Sequence, residues 1–299
     1  MDVTVDKVPG LPEGFADQFR SERYDLGDIS LHAVTGGSGP ALLLVGGWPQ
    51  FWWQWRKVMP AYAKHYSVIA VDPRGVGGSD MPEDGYDSAT AGGDLARLMT
   101  LLGHERFRLI GHDVGMMIAY ALAADHPGRV TQLVLAEAAL PGLSTDPGAL
   151  PTANPPVEKM WHFMFNRLPS VNERLVEGRE DVYFGDQFAV KGATPSTMPP
   201  EVVGVYVDAL RRPGALHASF QYYRALDITI AQNLERSRTP LPMPVLAIGG
   251  ATSRGAGVAA DVRRVATDVT DLVVPECGHY VPEETPDVFT QATLSFFGA

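Results

Sequence analysis

Residues 111–115 read Gly-His-Asp-Val-Gly, after the run Phe107-Arg108-Leu109-Ile110 and before a stretch of small apolar residues. The outline is that of a nucleophile elbow, G-x-S-x-G, in which a strand turns sharply into a helix. Asp113 stands where that motif has serine. A carboxylate is poorly suited to acyl transfer, because its attack on an acyl carbon gives a mixed anhydride. It is well suited to displacement at a saturated carbon bearing a leaving group, which leaves an alkyl ester on the protein. Being ionised near neutral pH, it needs no base for that attack. A base is needed afterwards, to activate the water that cleaves the ester.

His279, in Glu276-Cys277-Gly278-His279-Tyr280-Val281-Pro282, is the candidate base. It follows the last strand signal and fits the chain order nucleophile, acid, histidine. An ordinary loop histidine is the plainer reading, and the elbow upstream argues against it. The loop after Val245-Leu246-Ala247-Ile248-Gly249-Gly250 often supplies the orienting acid, but here Ala251-Thr252-Ser253-Arg254 holds no carboxylate. Glu137, closing an apolar strand, is the substitute. A carboxylate there is costly to desolvate unless paired. The competing role is a salt bridge to an arginine of the later helical block. Ester hydrolysis also needs oxyanion donors, expected at the backbone N–H groups of Val114 and of Trp48 in Gly46-Gly47-Trp48-Pro49-Gln50. Pro49 lacks an N–H and stiffens that turn. Phe51, Trp52, Trp53 and Trp55 read as core or pocket wall, and Cys277 as a small buried residue.

Positioning these groups requires an α/β framework. Residues 19–26 and 29–35 read as two strands joined at Gly27-Asp28. Continuous apolar runs at 41–47, 66–73, 107–112 and 130–138 suit strands buried on both faces. Helical stretches separate them, Ala91 to Leu102 and Val114 to Asp125, so the sheet should be mostly parallel. The pattern breaks at Pro141. Residues 141–156 carry five prolines and read as a linker. A helical block follows to about Arg236, with Val157, Met160, Trp161, Met164, Phe165 and Leu168 as its first apolar face. Prolines at 240, 242 and 244 close it. Strand signals return at 245–251 and 270–279, and a last helix runs from Pro286 to Phe297.

The chain has 299 residues and a net charge of −11, which argues against a nucleic-acid partner. One cysteine excludes an intramolecular disulfide. The N-terminus shows no signal-peptide pattern and no run of 18 apolar residues occurs, so a cytoplasmic protein with no membrane partner is expected. No zinc motif is present and no metal or cofactor is implied. Asp72 to Asp80 could be mistaken for a nucleotide loop, but Asp80 stands where the third glycine belongs. Arg74 is expected to pair with a nearby carboxylate instead.

Together GGWPQ (46–50), DPRGVGGSD (72–80), GHDVG (111–115) and CGHYVP (277–282) resemble the α/β-hydrolase fold epoxide hydrolases, over nearly the whole chain from about Asp28. The segments 161–180 and 218–227 are most similar to caps of bacterial members with a His/Tyr pair, related to a secreted virulence-type enzyme. The resemblance implies an eight-stranded, mostly parallel sheet with helices on both faces and a helical cap after the sixth strand. Residues 1–140 and 238–299 would form the core and 141–237 the cap. It further implies that His162 and Tyr223 hydrogen-bond the epoxide oxygen, with Tyr222 as the competing tyrosine. An alkoxide is a very poor leaving group, so ring opening needs acids at that oxygen. Two departures stand out. Gly46 occupies the usual histidine of the first motif. Val114 replaces the tryptophan usual after the nucleophile in haloalkane dehalogenases and the arginine of fluoroacetate dehalogenases. The expected activity is conversion of a small epoxide and water to a vicinal diol, and the resemblance implies a homodimer. The alternatives are a haloalkane or haloacetate dehalogenase using the same aspartate, and a non-catalytic binding protein on the same fold.

Overall fold

The computed structural model describes residues 2–144 and 156–299. The expected linker therefore lies, from residue 145 to 155, outside the described residues. The strands are β1 (Phe19–Asp25), β2 (Ser30–Gly36), β3 (Ala41–Val45), β4 (Ser67–Asp72), β5 (Phe107–His112), β6 (Val130–Ala136), β7 (Val245–Gly250) and β8 (Val269–Val274). They form one eight-stranded sheet in the order β1-β2-β4-β3-β5-β6-β7-β8. β2 runs antiparallel to both neighbours, and every other pair from β4 to β8 is parallel.

The central strands are apolar throughout because both of their faces are covered. Leu43, Val45, Leu109, Leu133 and Leu135 pack into one cluster, while Leu42, Leu44, Ile110, Val134 and Ala136 pack into the other. The helix Val114–Asp125 lies in the first cluster, with Val114 through Ala123 all buried. The helix expected from Ala91 begins three residues earlier, spanning Ser88–Leu101. Asp87 caps it by accepting from the N–H groups of Ala89 and Thr90, both at 3.1 Å. Arg74 pairs with Asp94 at 2.6 Å, as expected of a structural turn.

Between β6 and β7 the described residues form six helices, Pro156–Asn166, Val171–Val176, Glu180–Lys191, Pro200–Leu210, Ala215–Arg224 and Leu226–Arg236. The first corrects an expectation. Met164 is 73% exposed and Trp161 and Leu168 each 38%, whereas His162 and Asn166 are buried. Its inward face is thus set by the polar pair His162 and Asn166, four residues apart, and much of the apolar stripe faces outward. Apolar periodicity identifies the buried face only where burial is not shared with a polar site.

Candidate active site

β5 ends at His112 and the Val114–Asp125 helix begins at once, so Asp113 takes the whole turn. Its φ of 54° and ψ of −123° lie where side-chain-bearing residues rarely go. Such a conformation costs roughly 1–3 kcal/mol and persists only when its surroundings enforce it. Here they do so through close backbone packing. A Cβ on Gly115 would lie 2.2 Å from the Val45 carbonyl oxygen, and one on Gly47 would lie 2.3 Å from Asp113 Cβ.

The result is a side chain delivered to its partners. Trp48 N–H donates to Asp113 Oδ1 at 2.7 Å. The other predicted donor, Val114 N–H, makes no bond to the resting carboxylate. Where Gly46 departs from the usual histidine, Gln54 fills the space: a Cβ on Gly46 would lie 3.1 Å from Gln54 Cδ. Gln54 Oε1 accepts from Gly47 N–H at 3.3 Å, so the turn keeps its support without the histidine.

His279 Nε2 approaches Asp113 Oδ2 at 3.2 Å, off the line of a hydrogen bond. Its Nδ1 lies 3.2 Å from Glu137 Oε2. Glu137 also sits in a left-handed turn, with φ 57°, and is 1% exposed. Its Oε1 accepts from Gly250 N–H at 2.6 Å and Arg254 N–H at 3.3 Å. The β7 loop without a carboxylate therefore supplies backbone donors to the carboxylate of β6. Among the described residues Glu137 has no arginine side chain as a partner. His112 Nε2–H donates to the carbonyl of His279 at 2.7 Å, tying that histidine to the elbow.

Across the carboxylate, His162 stacks on the Trp48 ring at 5.3 Å and meets Tyr223 edge-on at 5.6 Å. Asp113, Val114, Met117, Ile118, Phe163 and Tyr223 line a small cavity beside the carboxylate. Tyr223 is 4% exposed and closes one wall of that cavity, with Asn166 beside its hydroxyl. Tyr222 is a wall residue whose hydroxyl donates to the Arg74 carbonyl at 2.8 Å. Lys191, which carried no signal in the sequence, lies behind this wall against His162 and Trp48, its Nζ 3.1 Å from His162 Nε2. A lysine ending a helix ordinarily reads as a solvated charge complementing the helix dipole. His112 was likewise missed, hidden inside the elbow motif.

The charges are strongly coupled. Burial raises the pKa of Asp113, but His279, Lys191 and His112 outweigh it and hold the carboxyl well below the usual range. Burial also opposes charge on His279, yet Asp113 and Glu137 together raise its pKa above the ordinary value. Burial, then the Lys191 charge, pulls His162 down to about 2, so its ring is neutral. Burial and the Asp113 charge push the Tyr223 phenol far above its usual range, which keeps its proton in place. The described residues contain no cluster suited to a metal ion and no helix long and apolar enough to cross a membrane.

The alpha/beta hydrolase fold family model matches residues 40–286. The chain is 33% identical over 275 residues to the soluble epoxide hydrolase of a Corynebacterium species, covering 89% of this chain and 93% of the relative. It is 35% identical over 214 residues to the fluoroacetate dehalogenase of a Burkholderia species, covering 69% of each. The crystal structure of Cfl2 from Burkholderia cenocepacia superposes with a TM-score of 0.89 at 35% identity, covering 94% of this chain and 96% of that one.

Proposed function

The chain belongs to the alpha/beta hydrolase fold family, and on that premise we propose that it is an epoxide hydrolase acting through an alkyl ester on Asp113. One observation carries the reading: a strained aspartate at the elbow, backed by His279 and Glu137, faces a buried phenol across a small cavity, with an imidazole edge-on against that phenol. Asp113 attacks an epoxide carbon while acids opposite it receive the opening oxygen. His279, oriented by Glu137, then takes a proton from water, which attacks the ester carbonyl. Trp48 N–H donates to one carboxylate oxygen, which supports its role as the oxyanion donor. Collapse releases a vicinal diol and restores the carboxylate. In this reading the six helices after β6 act as a cap, supplying Tyr223 as an acid with His162 packed beside it.

The fluoroacetate dehalogenase relative makes halide release the second reading. A halide leaves without a proton, whereas an alkoxide needs one, so the buried Tyr223 hydroxyl favours the epoxide. A complete Asp113–His279–Glu137 set argues against a binding protein without turnover. The test is a product assay with styrene oxide, terminal alkyl epoxides, fluoroacetate and short haloalkanes. Diol formation is expected; halide release with no epoxide turnover would overturn the proposal.

A further inference from the structure

Lys191 closes the helix Glu180–Lys191 and is only 6% exposed. Its Nζ stands 3.1 Å from His162 Nε2 and 4.7 Å from the centre of the Trp48 ring. The same residue accepts the His279 N–H on its carbonyl oxygen at 2.9 Å, so its backbone and side chain both meet the site. Other buried cations of the fold have carboxylate partners: Arg56 has Glu283, Arg74 has Asp94 and Arg236 has Asp125. Lys191 makes no ion pair among the described residues. A buried ammonium without a carboxylate against it costs stability, which points to function rather than packing. The negative charge acting on it is that of Asp113.

An ammonium only donates, so the bond to His162 fixes its own direction. His162 Nε2 must accept, and the single proton of the neutral ring then sits on Nδ1. While Lys191 is charged, Nε2 has no proton for a substrate. Resting on the epoxide reading above, we infer that Lys191 is a catalytic residue, the acid that protonates the opening epoxide oxygen beside Tyr223, with His162 holding its ammonium in place.

The step balances. An Asp113 oxygen forms a bond to the epoxide carbon, the C–O bond breaks, and its electron pair stays on oxygen. That oxygen takes a proton from Lys191, leaving a neutral amine. In the second half, water gives one proton to His279, and His279 passes it to the diol oxygen that leaves the ester. The other water proton, left on the regenerated carboxyl group, returns to Lys191. Epoxide and water enter, and diol leaves.

The ionisable groups around Lys191 are His162 from the first of the six helices, Tyr223 from the fifth, Asp113 from the elbow, and His279 and Tyr280 after β8. Glu173 of the Val171–Val176 helix is occupied by Arg224 and His217. From the Pro200–Leu210 helix, Tyr206 donates to Glu283 behind Phe188. Burial, opposed by Asp113, lowers Lys191 to about 8, within the range where loss of its proton can be followed. Tyr223 titrates far above that range.

The test uses the His279→Gln protein, in which the ester accumulates and that histidine no longer titrates. Adduct formation on Asp113 with styrene oxide is timed by intact-protein mass spectrometry between about pH 6 and pH 10. Ring opening should slow above about pH 8, keep that limb in Tyr223→Phe, and lose it in Lys191→Met with a rate at pH 7 roughly 100-fold lower. A flat profile, or a limb unchanged by Lys191→Met, overturns the role of Lys191 while leaving the ester mechanism standing. No adduct at any pH overturns the epoxide reading itself. If Lys191→Met does not fold, the same limb in the Lys191 protein decides, together with Lys191→Arg, which should carry the limb beyond pH 10.

Discussion

In the proposed mechanism, forming an ester on Asp113 changes the field in which His279 titrates. In the free protein burial disfavours the imidazolium, but Asp113 and Glu137 overcome it and raise the pKa. Once Asp113 is esterified its charge is gone, burial regains weight, and the pKa of His279 falls. The proposed role of His279 then has a neutral imidazole available when water must be activated. Asp113→Asn imitates that loss of charge, so the NMR titration midpoint of His279 should drop relative to wild type. An unchanged midpoint would refute the coupling. The two adjacent tyrosines separate just as sharply. Tyr223→Phe should lower the ring-opening rate by roughly 10²-fold or more at little cost in stability. Tyr222→Phe removes only the bond to the Arg74 carbonyl, costing about 1 kcal/mol in a denaturant titration. Equal kinetic effects of the two would show that Tyr223 has no special place.

At the scale of elements, the elbow depends on backbones that touch. Gly115→Ala would place a methyl group against the carbonyl oxygens of Val45 and Gly46, neither of which can give way as a side-chain end can. A loss of at least about 2 kcal/mol is expected, together with displaced Asp113 geometry. Gly93→Ala, in the Ser88–Leu101 helix, meets nothing within 4 Å and should stabilise by about 0.5–1 kcal/mol. Urea unfolding of the two variants checks both signs. The elbow, its helix and the strands were legible in the sequence because backbone rules dictate them: small residues at a close approach, and apolar runs where two faces are covered. The six-helix block was legible as helices but not as faces. Met164 is among its exposed residues and His162 among its buried ones, because the site sits where the core would otherwise be. Lys191 was invisible for a related reason. A lysine at a helix end is solvated by default, and only the tertiary fold turns this one onto Trp48 and His162.

Across the whole molecule, the buried histidines couple folding to pH. Burial, the larger cause, and the neighbouring His279 lower His112 to about 4, and His162 is held at about 2. In the unfolded chain both bind protons near pH 6.5, whereas the folded protein keeps them neutral. Their contribution is therefore complete above that pH and is lost as pH falls, by about 2 kcal/mol each at pH 5. His279, with a raised pKa, contributes fully below pH 6.5 and adds no slope between pH 6.5 and pH 5. Urea titrations should show stability about 4 kcal/mol lower at pH 5 than at pH 7; equal values would mean that these rings are not held neutral. The proposed mechanism turns on a covalent bond between Asp113 and the substrate. Its most direct test is one turnover of styrene oxide by excess protein in ¹⁸O-labelled water. The first diol is expected to be free of ¹⁸O, with the label in the Asp113 carboxylate, because water attacks the ester carbonyl. A first diol that carries the label would contradict it, since water would then have attacked the epoxide directly.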